Sequence, residues 1–161
     1  MGAKYTVEQD RNWYNGLPTK RSSAAMVLRD GDSVLMVKDD YKAYWTFPGG
    51  VIDAGESPFV AALRETYEEI GVEVSREHAR FLSVSYVPEK HGFLDRFHFF
   101  FYAEIQRDGL AIVPEKGIED YAWIAISEIG RKSGERPGYV RLQSMLETGQ
   151  TEYYFEAPTI A

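Results

Sequence analysis

The sequence has no cysteine and no excess of basic residues, and these two absences already exclude several classes of protein. Without cysteine there is no disulfide framework, no thiolate metal site and no cysteine nucleophile. The formal net charge of −7 and the pI near 5.0 argue against a partner made of long nucleic acid, because such proteins usually present a basic surface to the phosphate backbone.

Long apolar runs and internal repeats are missing as well. No segment approaches the roughly 18 consecutive apolar residues of a membrane span, and the N-terminal residues lack the apolar core of a secretory signal. We therefore expect a cytoplasmic protein with no membrane partner. A chain of 161 residues with 44% hydrophobic residues predicts a single domain over 1–161, with a lead-in at 1–20 that packs on the domain and a tail at 150–161.

Short β-rich runs separated by turn residues predict most of the strands. Asp-Gly joins the first two runs, 22–29 and 33–39, which predicts a hairpin. Further strands are predicted for YWTF, FLSVSYV, DRFHFFFYAEI and DYAWIAI, a short helix for ISEIG and a terminal helix for PGYVRLQSMLETG. Phenylalanine occupies both faces of the run at 95–105, so we expect this strand to be buried on both sides.

One helix is marked clearly at both ends. Ser57 suits the N-cap, Pro58 the first helical position and Gly71 the position after the last turn. At about 100° per residue, the apolar side chains of this helix form one stripe that should face the core. The predicted stripe consists of Phe59, Ala62, Leu63, Thr66, Tyr67 and Ile70.

Three glutamates cluster on the other side of this helix. Such a cluster is usually a solvated face, but Glu65 and Glu69 are a like-charge pair four residues apart, and Glu68 and Glu69 lie where the helix dipole favours cations. Arg64 alone cannot neutralise three carboxylates. Hard oxygen ligands of this kind suit Mg²⁺ or Mn²⁺, so the residues predict that a divalent metal supplies the missing positive charge.

The stretch Gly50–Val72 resembles the signature of the Nudix hydrolase family, the Nudix box. It has glycine, five residues, glutamate, seven residues, and then Arg-Glu-hydrophobic-x-Glu-Glu-x-Gly-hydrophobic, with Thr66 at the first hydrophobic position as the one departure. The likeness extends over about residues 20–130. It implies an α/β fold, an α/β/α sandwich around a mixed β-sheet, with a loop-helix-loop metal site.

The resemblance also implies roles for single residues. Glu65 is either a metal ligand or the general base, while Glu56 and Arg64 orient the cluster. Glu65, Arg64 and Glu68 would then form the catalytic group. The implied metal ligands are the carbonyl of Gly49 and the side chains of Glu65, Glu68 and Glu69.

Residues after the box leave several alternatives open. Family members often place an additional glutamate, acting as base or ligand, in the region that here holds Glu115 and Glu119, and the sequence does not choose between them. His91 and His98 each stand alone, which favours ordinary polar or core roles over metal binding. Core packing is likewise the default reading for the possible base-stacking aromatics, namely Trp45, Tyr86 and Phe93.

The implied activity is metal-dependent hydrolysis of the pyrophosphate in a nucleoside diphosphate linked to another group. Pro88, sixteen positions beyond Val72, matches a placement seen in the ADP-ribose-hydrolysing branch, which favours ADP-ribose or a nucleotide sugar over nucleoside triphosphates. A prenyl diphosphate isomerase is excluded because that chemistry needs cysteine. A non-catalytic nucleotide sensor remains the alternative. The expected partner is a small nucleotide, and a homodimer is compatible with the sequence.

Overall fold

A computed structural model describes residues 6–89, 92 and 94–157 and contains one mixed β-sheet with helices on both faces. The strands are β1 (Arg21–Asp30), β2 (Ser33–Asp39), β3 (Gly49–Val51), β4 (Ala79–Val87), β5 (Arg96–Glu104), β6 (Ile118–Ala125) and β7 (Tyr154–Glu156). The α-helices are α1 (Val7–Asn15), α2 (Pro58–Ile70), α3 (Ile129–Lys132) and α4 (Pro137–Thr148), and a 3-10 turn at Ile126–Glu128 precedes α3.

The seven-stranded sheet runs in the order β6-β2-β1-β5-β4-β7, and β3 pairs with β1 beside the main path. The β1–β5 and β4–β7 pairs are parallel, whereas the remaining pairs are antiparallel. Helix α2 covers one face, and α3 and α4 pack over the other. The predicted α/β fold, with helices flanking a mixed sheet, is therefore confirmed.

Alternation along β5 divides its side chains between two cores, as the sequence predicted. Phe100 and Tyr102 pack with α4 residues, while Phe99 and Phe101 pack with residues of α2. We call the first the α4 face and the second the α2 face. Strand β1 divides in the same way, because Met26 lies on the α2 face and Val27 on the α4 face.

The third strand lies later in the chain than predicted. In YWTF only Thr46 makes a β-bridge, to Val37, and the strand that pairs with β1 is Gly49–Val51. Glycine is typical of loops and aromatic residues are typical of strands, so the sequence predicts the strand at YWTF and a loop at the glycines. Here glycine is needed for close backbone approach, which outweighs its poor strand propensity.

The buried stripe of α2 is also rotated relative to the prediction. Tyr67, expected in the core, is 60% exposed, whereas Glu69 is only 9% exposed. The residues buried on α2 are Ala61, Ala62, Thr66, Glu69 and Ile70. The helix packs through small side chains close to β1 and β3, so this narrow contact carries Glu69 inward and leaves the bulky ring of Tyr67 outside.

The N-terminal and C-terminal segments each contain an element that the sequence did not predict. Helix α1 has a capping box between Thr6 and Gln9, yet none of its residues is buried, so the expected packing of the lead-in is wrong for 7–15. Strand β7 extends the sheet beside β4. In the part of the chain that the structure describes, no helix is both long and apolar enough to cross a membrane.

Candidate active site

Helix α2 is held at both ends by the caps that the sequence indicated. The hydroxyl of Ser57 accepts a hydrogen bond from the Val60 amide at 3.3 Å, and Pro58 occupies the first turn. Gly71 ends the helix with φ of 70°, and its amide donates to the Tyr67 carbonyl. These caps fix where the helix begins and ends, and the helical period of about 100° per residue then sets the angular positions of the glutamates.

The glutamates of α2 face the outer edge of β3. The Gly49 amide donates to Oε2 of Glu69 at 2.9 Å, and Arg64 donates to the Val51 carbonyl at 3.2 Å. The intervening residue, Gly50, pairs with β1 on the other edge. Since the amide and carbonyl of one extended residue point to the same edge, the Gly49 carbonyl also lies on the outer edge, where the resemblance to the Nudix signature predicts a ligand.

Two glycines of β3 allow this close packing. A Cβ atom added to Gly50 would lie 2.4 Å from Oε1 of Glu65, and one added to Gly49 would lie 2.3 Å from the Ala24 carbonyl oxygen. Both distances are shorter than van der Waals contact. Strand β3 is thus inserted between α2 and β1 at a spacing that only glycine permits.

Arg64 donates hydrogen bonds to three carboxylates. Its guanidinium forms a two-point bond to Glu56, with both N–O distances 2.9 Å, and also donates to Glu65 at 2.9 Å and Glu68 at 2.8 Å. The bond to Arg64 lowers the pKa of Glu56, and the three acids together raise the pKa of Arg64. Arg64 thus orients Glu65 and Glu68, and the bond to Glu56 in turn holds Arg64 in place.

Two carboxyl groups of the cluster have raised pKa values, the half-buried Glu65 and the buried Glu69. Burial raises the pKa of Glu65, although Arg64 opposes the change. Burial, with a smaller contribution from the charges of Asp39 and Glu65, raises the pKa of Glu69 to about 8, against the opposing effects of the Gly49 amide and Lys42. Asp39, which the sequence reading missed, is buried at the end of β2 and paired with Lys42.

The donor chemistry of this cluster fits a hard divalent cation. In the described ranges, no three His, Asp or Glu side chains converge tightly enough to enclose an ion, because Glu65 and Glu68 bind Arg64 and Glu69 binds the Gly49 amide. The available ligands are nevertheless carboxylate oxygens on one helix, beside an outward carbonyl, with acid in excess of base. This is the set of ligands that Mg²⁺ or Mn²⁺ prefers.

The two later glutamates occupy different surroundings. The amide of Glu115 donates to the Glu69 carbonyl at 2.9 Å, and its carboxylate charge contributes to the raised pKa of Glu65. Glu119 is half-exposed and forms an ion pair with Lys38. Glu115 therefore lies beside the cluster, whereas Glu119 is engaged on the surface of β2 and β6.

Most of the histidines and aromatic residues considered from the sequence make contacts that are typical of structural roles. His98 is half-buried on β5 and bonded to Ser23 and Arg96, and Trp45 packs against the core of the α4 face. Tyr86 donates its hydroxyl proton to Asp95 at 2.9 Å. His91 and Phe93 lie outside the described residues.

The chain was compared with known proteins. The model of the NUDIX domain matches residues 19–143. The chain is 35% identical over 71 residues to nucleoside diphosphate-linked moiety X motif 6 of Xenopus laevis, covering 43% of this chain and 30% of that protein. It is 42% identical over 40 residues to 8-oxo-dGTP diphosphatase of Proteus vulgaris, covering 25% of this chain and 36% of that protein. The aligned region thus spans about a third of these relatives.

A solved structure agrees in fold. A bifunctional NMN adenylyltransferase/ADP ribose pyrophosphatase from Francisella tularensis, in complex with AMP and a manganese ion, superposes with a TM-score of 0.68. The sequence identity is 20%, and the match covers 89% of this chain and 46% of that chain. Family signature, domain match and fold agree, and the chain belongs to the Nudix family.

Proposed function

We propose that this chain is a divalent-metal-dependent pyrophosphohydrolase acting on a nucleoside diphosphate linked to another group. The observation that carries the proposal is the excess of carboxylates at the outer edge of β3, where Glu65 and Glu68 share Arg64, while the buried Glu69 forms no ion pair with any described residue. A negatively charged pyrophosphate would be repelled by this cluster unless a metal ion lay between them.

Four groups would hold the ion, namely the side chains of Glu65, Glu68 and Glu69 and the carbonyl of Gly49. When bound, Mg²⁺ or Mn²⁺ supplies polarisation of the phosphoryl oxygens and lowers the pKa of the attacking water. The chain itself contributes orientation, because Glu56 fixes Arg64 and Arg64 fixes the carboxylates of Glu65 and Glu68.

A carboxylate must also accept the proton of the attacking water. Glu65 suits this role because burial raises the pKa of its carboxyl group, which makes it a better base. Glu115 is the second candidate because its charge acts on Glu65, and we favour it over Glu119, which is paired with Lys38. We expect Glu115→Gln to lower kcat at least about tenfold and Glu119→Gln to leave it within about twofold. Equal losses in both variants would contradict this assignment.

The finer proposal is that ADP-ribose or a nucleotide sugar is a better substrate than a nucleoside triphosphate. It is supported by the placement of Pro88 just after β4, and a neighbour of the same fold is named as an ADP ribose pyrophosphatase. A cleft of about 660 Å³ beside β3 offers room for a substrate of this kind. A preference for a triphosphate by about tenfold in kcat/KM, equivalent to about 1.4 kcal/mol, would contradict it.

The decisive experiment is a substrate screen with purified protein, in Mg²⁺ or in excess EDTA, with products identified by mass. The panel includes ADP-ribose, nucleotide sugars, diadenosine tetraphosphate and 8-oxo-dGTP. We expect turnover of at least one compound only with the metal, and a loss of at least about a hundredfold in kcat for Glu68→Gln and Glu69→Gln. Glu73→Gln is the matched control, since Glu73 is exposed just beyond the same helix.

Two outcomes would contradict the proposed function. Turnover that persists in excess chelator would exclude a metal-dependent site. Tight binding of a nucleotide without turnover of any compound would favour a non-catalytic sensor.

A further inference from the structure

A half-buried histidine holds an arginine on the α4 face of the sheet. Nε of Arg96 donates to Nε2 of His98 at 3.1 Å, and Nδ1 of His98 contacts the hydroxyl of Ser23. An arginine cannot accept a hydrogen bond, so Nε2 carries a lone pair and Nδ1 carries the proton. His98 is therefore neutral and donates to Ser23. The Ser23 hydroxyl proton is then left free to donate to another oxygen.

The burial of His98 agrees with this protonation state. Burial, together with the charges of Arg96 and Arg136, lowers the pKa of His98 to about 4. The imidazole thus stays an acceptor for Arg96 throughout the neutral range. This arrangement fixes the position of Arg96 and leaves its positive charge in place. A carboxylate in the same position would neutralise that charge.

Arg96 and Arg136 are close to each other and lack an acidic partner. Throughout the described residues, no carboxylate lies within ion-pair distance of either guanidinium. Burial lowers the pKa of Arg96, and the charge of Arg136 adds to the effect. Arg136 stacks on the ring of Tyr44, 4.1 Å from its centroid. In a chain with 25 acidic and 18 basic residues, two adjacent arginines without an acid indicate a place for an external anion.

Arg96 shares a cleft with the strand that borders the candidate metal site. Ser23 pairs with Val51 of β3 on one side and with His98 of β5 on the other. Gly50, the residue before Val51, packs against Glu65. The cleft of about 660 Å³ is lined by residues that include Ser23, Val51, Arg96 and His98. The cleft therefore connects Arg96 with Val51, whose carbonyl accepts a hydrogen bond from Arg64 at the edge of the carboxylate cluster.

We propose that Arg96 and Arg136 bind a phosphate of the substrate other than the one that water attacks, and that His98 is a positioning residue for Arg96. The proposal rests on the proposed function and deepens it by naming the residues that recognise the second phosphate. The planar guanidinium of Arg96 matches two phosphate oxygens, and the Ser23 hydroxyl supplies a third donor.

The first test measures ADP binding by titration calorimetry with metal-free protein in EDTA, so that it does not depend on catalysis. We expect Arg96→Gln and Arg136→Gln each to weaken binding about tenfold or more. Arg131→Gln is the matched control, because it removes the same charge from an exposed residue paired with Glu128, and it should bind ADP like wild type. Equal binding by all four proteins, equal weakening in all three variants, or no ADP binding by wild type would overturn the proposal.

The second test separates positioning from a general structural role of His98. Glutamine at this position offers a carbonyl oxygen that can accept from Arg96, whereas leucine does not. We expect His98→Leu to raise KM about tenfold with kcat within about twofold, and His98→Gln to keep KM near the wild-type value. If both variants lose thermal stability and share the same KM, the histidine only fills space.

The two tests also keep this inference apart from the proposed function. If wild type hydrolyses no pyrophosphate but ADP binding depends on Arg96 and Arg136, the phosphate subsite stands and the activity fails. If wild type is active while Arg96→Gln has an unchanged KM and unchanged ADP binding, the activity stands and the subsite fails.

Discussion

Glu69 makes the stability of the metal-free protein depend on pH. The pKa of this carboxyl is raised from 4.5 to about 8, chiefly by burial. Between these values the unfolded chain ionises the group while the folded chain keeps it protonated, so stability falls as pH rises from 4.5 to 8. Glu69→Gln removes this cost but keeps an acceptor for the Gly49 amide. We expect the variant to raise the melting temperature in EDTA by several degrees at pH 8.5, but not at pH 4.5.

Thermal melting at both pH values, with wild type and Glu73→Gln beside it, checks this expectation. Glu73 is exposed, so its replacement removes one negative charge without removing a buried acid. A stabilisation by Glu69→Gln that is the same at both pH values would mean that the burial of the charge is not its cause.

At the scale of single residues, the sequence predicts which side chains of one helix lie together, because their spacing along the chain determines it. Glu65, Glu68 and their shared partner Arg64 follow from helical periodicity, and the bonds among them are present. Spacing could not predict that Asp39 and Glu115 approach the same cluster, because both come from distant segments. An acid at the end of the apolar strand β2 was the one available signal for Asp39.

Strand β3 depends on the absence of side chains. A Cβ atom at Gly50 would meet the carboxylate of Glu65 at 2.4 Å, so Gly50→Ala must displace that side chain. We expect kcat to fall by about tenfold or more, because displacement of a reacting group by 1 Å can cost a hundredfold. The melting temperature should change much less, since a carboxylate at the end of a flexible side chain can move aside.

The matched control for this prediction is Gly138→Ala in α4. There the added Cβ atom would meet only Phe155, at an ordinary 3.9 Å, and alanine favours the helix over glycine. We expect unchanged kinetics and a free energy of unfolding raised by up to about 1 kcal/mol. Full activity in Gly50→Ala would show that Glu65 does not need its observed position.

Helix α2 also tests the separation of fold from chemistry. Ile70 is fully buried between the helix and β1, so Ile70→Ala leaves a cavity and should cost about 2–5 kcal/mol of unfolding free energy. Activity per folded molecule, measured well below the melting temperature, should stay near wild type. A large loss of kcat in protein that circular dichroism finds folded would place Ile70 in the catalytic arrangement.

At the scale of elements, helices were predicted better than short strands. The ends of α2 and α4 are encoded locally by Pro and Gly, and both helices end at a glycine with φ of 70°. The three-residue strand β3 carries no such local signal, because its pairing with β1 depends on a distant helix. The orientation of α2 was misjudged for the same reason, since Tyr67 and Glu69 exchange places only once the sheet is present.

The carboxylate cluster predicts that divalent cations stabilise the folded state of the whole molecule. An ion that binds only the folded state at a hundred times its dissociation constant adds about 2.7 kcal/mol to the unfolding free energy. We expect Mg²⁺ to raise the melting temperature of wild type by several degrees, and to have a smaller effect on Glu68→Gln and Glu69→Gln. Sodium chloride at matched ionic strength is the control, because general screening of the net charge of −7 would act on all three proteins equally.

The bond from the Gly49 amide to Glu69 gives the molecule an intrinsic spectroscopic probe. An amide proton bonded to a carboxylate resonates at a frequency that depends on the charge of its acceptor. Gly49 lies in the middle of the candidate site, whereas the amide of Gly149 at the end of α4 donates to the Met145 carbonyl. In a nitrogen–proton correlation spectrum, the Gly49 signal should therefore follow the ionisation and metal loading of Glu69, while the Gly149 signal serves as an internal reference.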